Sequence, residues 1–240
     1  MQNQPSTAHA GFTEMYSANP PWEIGRPQAP FIAIANEVTS PVLDCGCGTG
    51  NTALFFAARG LRVTGIDFVE EAIRRARAKA TERGLSVDFL IEDAMTLGDW
   101  DRRFASVIDS GLFHIYSGDD RRRYVQGLAH VVQPGGRLFL LSFSEGESAP
   151  GGGVSRQELY EAFAGGWDVE SVQPVVGEIN PAFTAEFPEE FPEGGPKNSD
   201  VNARVEVLIV LRLRVAAGCE VVERPEKDAV KRAQVARPKW

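Results

Sequence analysis

The stretch Val42-Leu43-Asp44-Cys45-Gly46-Cys47-Gly48-Thr49-Gly50-Asn51 decides the fold. Its first residues read as a short buried strand, and glycine then stands at three alternate positions. Residues 52–59 (TALFFAAR) have the apolar density of a packed helix, closed by Gly60. A strand, a tight glycine turn and a helix make a nucleotide cradle. Glycine is required where the backbone takes strained dihedrals and where a ligand must approach without meeting a Cβ, and the helix start adds unpaired N–H groups.

The spacing selects among nucleotides. A dinucleotide fingerprint needs G-x-G-x-x-G, whose third glycine lets the helix press against the strand beneath a pyrophosphate. Gly46 and Gly48 match, but the third place falls on Asn51, and Gly50 completes G-x-G-x-G instead. An acid, Asp44, stands two residues before the first glycine. A carboxylate there is a poor neighbour for a pyrophosphate and a suitable acceptor for an ammonium group. D-x-G-x-G-x-G resembles the first motif of class I S-adenosylmethionine (SAM)-dependent methyltransferases. The resemblance implies that Asp44, Gly46, Cys47, Gly48, Gly50 and Asn51 border the cofactor. Two other readings stay open, an NAD(P)-dependent oxidoreductase and a non-catalytic protein that only binds SAM or its product S-adenosylhomocysteine (SAH).

Composition sets outer bounds. At 240 residues the chain suits one α/β domain with additions. A formal net charge of −8 argues against a general nucleic-acid binder, which needs a basic face. Three cysteines, two of them in the glycine turn, make neither a disulfide framework nor a zinc spacing, and no metal site is expected. No leader and no apolar run long enough for a membrane span is read, so the expectation is a soluble cytoplasmic protein, monomeric or homodimeric, with a small-molecule acceptor as its partner.

Residues 1–30 read as an N-terminal arm and lid. Met1 to Ala10 is polar and expected to be unstructured. Phe12, Met15 and Tyr16 follow, then Pro20-Pro21-Trp22-Glu23-Ile24-Gly25-Arg26-Pro27-Gln28-Ala29-Pro30, whose prolines forbid a regular helix until about Phe31. Aromatic residues in a proline-stiffened segment ahead of the sheet suggest a cover over the glycine turn, or an arm that only plugs a groove. P-W-E-x-G-R-P at this place resembles the lid of thiopurine, thiol and halide methyltransferase-like enzymes and of bacterial methyltransferases acting on small heterocyclic toxins. The resemblance, which spans about residues 12–180, implies that Trp22 covers the cofactor. It makes Arg26 either a cofactor contact or the anchor of the lid, and sets Phe12 and Tyr16 on the acceptor side.

Residues 61–67 form a second expected strand, ending at Asp67 about twenty residues after the glycine turn. An acid at the carboxyl end of a parallel strand can accept both ribose hydroxyls, with Phe68 against the adenine; capping the next helix is the alternative. After a third strand, Asp93, Ala94 and Met95 resemble the family's adenine site, while an aspartate capping a turn is the plainer reading. The fourth strand, Phe104 to Asp109, runs on through Ser110 to Tyr116. In the resembled fold it ends beneath the sulfonium, so Asp109 and Ser110 are candidates for the methionine end. Phe113, His114 and Tyr116 are then candidates for the acceptor wall, with His114 a possible proton acceptor.

Residues 31–215 read as the catalytic domain. The strand and helix repeats imply a doubly wound sheet, and the resembled α/β fold is Rossmann-like, with seven strands, mostly parallel with one antiparallel, and helices on both faces. Ser155-Arg-Gln-Glu158 is a capping box. Two later alternating stretches, 167–179 and 203–215, are expected to close the sheet as an antiparallel pair. Between them an insertion over 180–202 places Phe183 and Phe187 in a possible acceptor flap, and 216–240 is a charged tail. The function expected is methyl transfer from SAM to an O, N or S atom of a small, aromatic or heterocyclic molecule.

Overall fold

A computed structural model describes residues 7–18, 20–144, 153–182 and 203–214. Helix α1 (Thr7–Met15) opens the described chain, followed by the five-residue α2 (Ala29–Ala33). Both correct the sequence reading. Thr7 to Ala10 is helical, because Phe12 and Tyr16 pack against Val69 and Ala72 of the main domain and hold the segment down. Helix α2 begins at Ala29 because Pro30 sits in its first turn, where a missing N–H leaves no bond unmade.

The sheet is built from β1 (Val42–Cys45), β2 (Val63–Asp67), β3 (Asp88–Ile91), β4 (Phe104–Ser110), β5 (Val132–Phe143), β6 (Trp167–Glu178) and β7 (Ala203–Leu213). Helices α3 (Asn51–Ala58), α4 (Glu70–Glu82), α5 (Gly118–Val131) and α6 (Arg156–Ala162) connect them. The strand order is β3-β2-β1-β4-β5-β7-β6, with β7 antiparallel to both neighbours and the other pairings parallel. Strand order reverses between β1 and β4, and a doubly wound sheet binds its ligands at the carboxyl ends beside that reversal. The capping box closes as read, with the Ser155 hydroxyl accepting from Glu158 N–H and the Glu158 carboxylate accepting from Ser155 N–H.

Alternation along the central strands divides the core into two layers. Leu43, Val107, Leu138, Leu140 and Ile209 face α5 and α6, where Tyr124, Leu128 and Phe163 meet them. Val42, Ile108, Phe139, Leu141 and Val210 face α2, α3 and α4, with Phe31, Leu54, Phe56 and Ile73 opposite. A sheet buried on both faces in this way is rigid, and it delivers its loop ends to one edge. Among the described residues no helix is long and apolar enough to cross a membrane.

Candidate active site

The turn after β1 is shaped by left-handed glycines. Gly46, Gly48 and Gly50 have φ of 64°, 53° and 80°, a region that residues with a Cβ rarely enter. A Cβ on Gly48 would stand 2.5 Å from the Tyr16 hydroxyl, and one on Gly46 would stand 3.3 Å from the Leu112 side chain. Gly50 differs: it is the N-cap of α3, and a Cβ there would meet the Phe89 ring at 2.6 Å. Gly50 is therefore a packing glycine pressed on β3, and it does not line the cavities described next, contrary to the sequence reading.

A small cavity of about 60 Å³ lies against the turn, walled by Asp44, Gly46, Cys47, Gly48, Thr49, Asn51 and Ser110 and by Trp22, Glu23 and Arg26 of the proline-rich segment. Asp44 is 1% exposed, and its Oδ2 has no hydrogen-bond partner among the described residues. Burial pushes its pKa up to about 8, opposed by a backbone hydrogen bond from Ala53 and reinforced by the Asp109 and Asp67 charges. Burial also holds the Cys47 thiol well above its ordinary range, so it is neutral.

A second cavity of about 430 Å³ adjoins the first. Tyr16, Trp22, Gln28, Gly46 and Ser110 border both. Its walls are mostly apolar, from Phe12, Met15, Phe68, Val69, Leu112, Ile115, Leu141, Phe143 and Ile179, with Asp67, Glu92, His114, Tyr116 and Glu178 among the polar contributors. Asp67 accepts Gly48 N–H at 3.0 Å through Oδ2 and Val69 N–H at 2.9 Å through Oδ1. It thereby holds the glycine turn and the start of α4 together while bordering the cavity. Burial raises its pKa against these two bonds. Over the turn, Trp22 Nε1–H donates to the Tyr16 hydroxyl at 2.9 Å, and Phe12 lies 5.6 Å from the Trp22 ring and 6.1 Å from Phe68. Tyr16 is thus a roof residue shared by both cavities.

His114 borders the large cavity with its ring 4.5 Å from that of Phe143. Burial, with the Arg121 charge nearby, pulls its pKa down to about 4, so the imidazole is neutral at physiological pH and a weak proton acceptor. Besides Gly50, four expected site residues border neither cavity. Asp109 is fully buried, and its carboxylate accepts from Leu112 N–H at 2.7 Å and the Tyr124 hydroxyl at 2.9 Å, which orders the loop behind the site. Phe113 is fully buried in the core, 5.3 Å from Phe163. Asp93 caps the turn over Ala94–Asp99 by accepting Met95 N–H at 2.9 Å, and the Met95 side chain packs on the core, leaving Glu92 and Ala94 at the cavity wall. In all four, a backbone N–H or the core takes up the side chain. Phe183 and Phe187 lie outside the described residues, as do most of the expected flap and the charged tail.

Several bordering residues were not singled out by sequence. Gln28 and Glu178 are joined by reciprocal bonds, Gln28 Nε2–H to Glu178 O at 2.9 Å and Glu178 N–H to Gln28 Oε1 at 2.8 Å. The Glu178 carboxylate also takes both Arg26 guanidinium nitrogens, which makes Arg26 an anchor of its segment while it borders the small cavity. On the other side Glu23 accepts from Thr49, Asn51 and Lys79. Glu23 lay inside the quoted P-W-E-x-G-R-P stretch, so a signal for it existed; Glu178, 150 residues beyond its partner Gln28, and Ile179 had none. Among the described residues no cluster of His, Cys, Asp and Glu is arranged to hold a metal ion.

Comparison with known proteins bears on the fold and on the chemistry it carries. Residues 42–136 match a family described as a methyltransferase domain. The chain is 36% identical over 168 residues to the 2-heptyl-1-hydroxyquinolin-4(1H)-one methyltransferase of Mycobacteroides abscessus, an alignment covering 67% of this chain and 74% of that enzyme. A structure solved for the conversion of a disulfide bond into a thioacetal group during echinomycin biosynthesis superposes with a TM-score of 0.70 at 31% identity, over 85% of this chain and 92% of the other. The 1,6-didemethyltoxoflavin-N1-methyltransferase of Burkholderia thailandensis, solved with its acceptor and SAH, shares the fold with a TM-score of 0.62 at 19% identity, over 90% and 94% of the two chains.

Proposed function

The chain is a class I SAM-dependent methyltransferase, and from that premise we propose that it methylates an O, N or S atom of a small aromatic or heterocyclic acceptor. The observation that carries the proposed arrangement is the buried, unpartnered Oδ2 of Asp44 on the wall of the small cavity. A carboxylate in that state lowers the free energy of the system by taking a cationic donor, and the ammonium of an amino-acid-bearing nucleoside is such a donor. The cradle fits the same ligand, because Gly46 and Gly48 turn the chain through left-handed dihedrals and border the small cavity with backbone alone.

In this reading the small cavity takes the methionine end and the near part of the large cavity takes the nucleoside. Asp67 meets the ribose hydroxyls with the lone pairs its two N–H bonds leave, Phe68 and Ala94 flank the adenine, and Trp22 and Tyr16 roof the cofactor. When bound, the cofactor supplies an electrophilic methyl group on a sulfonium. Tyr16, Gln28, Gly46 and Ser110, which border both cavities, then surround the place where acceptor and methyl group meet. Alignment of the reacting atoms is the main service the chain performs, a source of several kcal/mol in such reactions.

The far walls, Leu112, Ile115, Tyr116, Phe143 and Ile179, suit a planar apolar acceptor. A neutral His114 of low basicity favours an acceptor that needs little help in losing its proton, such as a heteroaromatic hydroxyl, a ring nitrogen or a thiol. The relative named for a hydroxyquinolone supports the same class. The test is calorimetric titration with SAH and with NAD, then turnover with a panel of quinolones, phenols and thiols. Micromolar SAH binding, no NAD binding and methylation of a heteroaromatic acceptor are expected. SAH binding with no methylation anywhere in the panel would leave a binding protein in place of an enzyme.

A further inference from the structure

We infer that Glu23 is a positioning residue: it clasps the aromatic roof to the cofactor turn from the side opposite Arg26, so that SAM affinity depends on a carboxylate and a lysine acting through Trp22. The inference rests on the reading that the small cavity holds SAM.

Glu23 follows Trp22 directly in a segment stiffened by proline, so the position of one side chain constrains the other. Its side chain is only 14% exposed. Asn51 Nδ2–H donates to Oε1 at 2.7 Å, Lys79 Nζ donates to Oε1 at 3.3 Å, and the Thr49 hydroxyl donates to Oε2. Lys79 closes the ring by donating to Thr49 Oγ1 at 2.6 Å and Asn51 Oδ1 at 2.9 Å. The four residues come from the roof segment, the glycine turn, the first turn of α3 and the last turn of α4. Burial opposes the Glu23 charge, but the bonds from Thr49, Asn51 and Lys79 outweigh it and hold the pKa below the ordinary glutamate range. A half-buried ionic network of this kind is expensive to leave half made.

Lys79 separates a clasp from a direct ligand contact. It borders neither cavity, so an effect of its removal on cofactor affinity must travel through Glu23, Thr49 and Asn51. Opposite it, the Arg26, Gln28 and Glu178 seam holds the other end of the same segment. The roof is thereby fastened on both sides of the cavity, once to the loop that cradles the cofactor and once to the end of the edge strand β6.

The test compares wild type, Glu23→Ala, Glu23→Gln, Lys79→Met and Trp22→Ala. SAH affinity is read by calorimetry and backbone amide exchange over residues 16–28 by mass spectrometry without ligand. Glu23→Ala is expected to weaken SAH about ten- to a hundredfold, the scale of a lost charged hydrogen bond. Glu23→Gln, which keeps an acceptor oxygen, should fall between, and Lys79→Met should weaken SAH in the same direction. Both Glu23→Ala and Lys79→Met should speed exchange across the segment. In a Trp22→Ala background Glu23→Ala should add less than its single-variant loss. Wild-type SAH affinity in Glu23→Ala or Lys79→Met, unchanged exchange, or losses that multiply in the double variant would each overturn the clasp. Failure of the wild type to bind SAH would refute the cofactor reading itself, while exchange still reports on the clasp.

Discussion

Replacing Asp44 by asparagine tests the central element of the site, because one substitution should move two measurements in opposite directions. Burial sets the Asp44 pKa near 8 in the cofactor-free protein, with Oδ2 unpartnered. An ammonium at hydrogen-bond distance favours the ionised form and lowers such a pKa by about 1–3 units. If the ligand returns the carboxyl from about 8 to about 6, linkage makes the SAH affinity fall close to tenfold for each pH unit lost between, about 1.4 kcal/mol per unit. Calorimetry at pH 6.0 to 7.5 in buffers of different ionisation enthalpy reads both the affinity slope and the proton released, which should approach one per SAH near pH 7. The Asp109 carboxyl, raised to about 6, titrates in the same range, but it faces Leu112, Phe113 and Tyr124 and is common to wild type and variant.

In Asp44→Asn the slope should flatten, the proton release should fall toward zero, and SAH should bind about 1.5–3 kcal/mol more weakly at pH 7.5, the scale of a charged hydrogen bond. Stability of the free protein should move the other way. The folded pKa of Asp44 lies above its unfolded value, so the folded state binds more protons between about pH 4 and 8 and stability drains away as pH rises through that window. The variant, which has no charge to desolvate, should therefore unfold at a higher temperature than wild type at pH 8 and without that advantage at pH 4. A flat slope in wild type, or a slope retained in the variant, would refute the assignment of Asp44 to the ammonium.

Three further outcomes follow from the same geometry. Asp67→Ala should weaken SAH by about 1–3 kcal/mol through lost bonds to ribose and a loosened Gly48, and unchanged affinity would remove it from the site. With the His114 pKa near 4, turnover should show no limb belonging to this residue between pH 5.5 and 8; a limb near 6.5 that vanishes in His114→Gln would mean the ring is far more solvated than its packing implies. Gly50→Ala should lose about 1–3 kcal/mol more stability in urea than Gly60→Ala, since both have φ above 80° or at it but only Gly50 has Phe89 at 2.6 Å. Equal losses would show that the ring gives way freely.

Most of the architecture was legible because it is written locally. The apolar runs of β1, β2 and β4, Gly60 closing α3 and the Ser155 capping box each follow from residues a few positions apart, and those strands depart from the reading only at their ends. The N-terminal helix was missed because its stability comes from Phe12 and Tyr16 resting on Val69 and Ala72, partners more than fifty residues away. Tertiary burial of this kind overrides what a polar terminus suggests by itself.

The site divides along the same line. Sequence by itself determined which loops carry it, since Asp44, the glycine turn and Asp67 sit at strand ends whose place is dictated by alternation of strand and helix. What only the tertiary structure decided is which carboxylates and rings face the cavity. Asp44 does, with an oxygen unmet, while Asp109 and Asp93, equally well placed in the chain, are turned to backbone N–H groups, and Phe113 is drawn into the core. A side chain's direction is set by the nearest partner that lowers its free energy, and for Glu23 and Glu178 that partner comes from a remote element that no local pattern names.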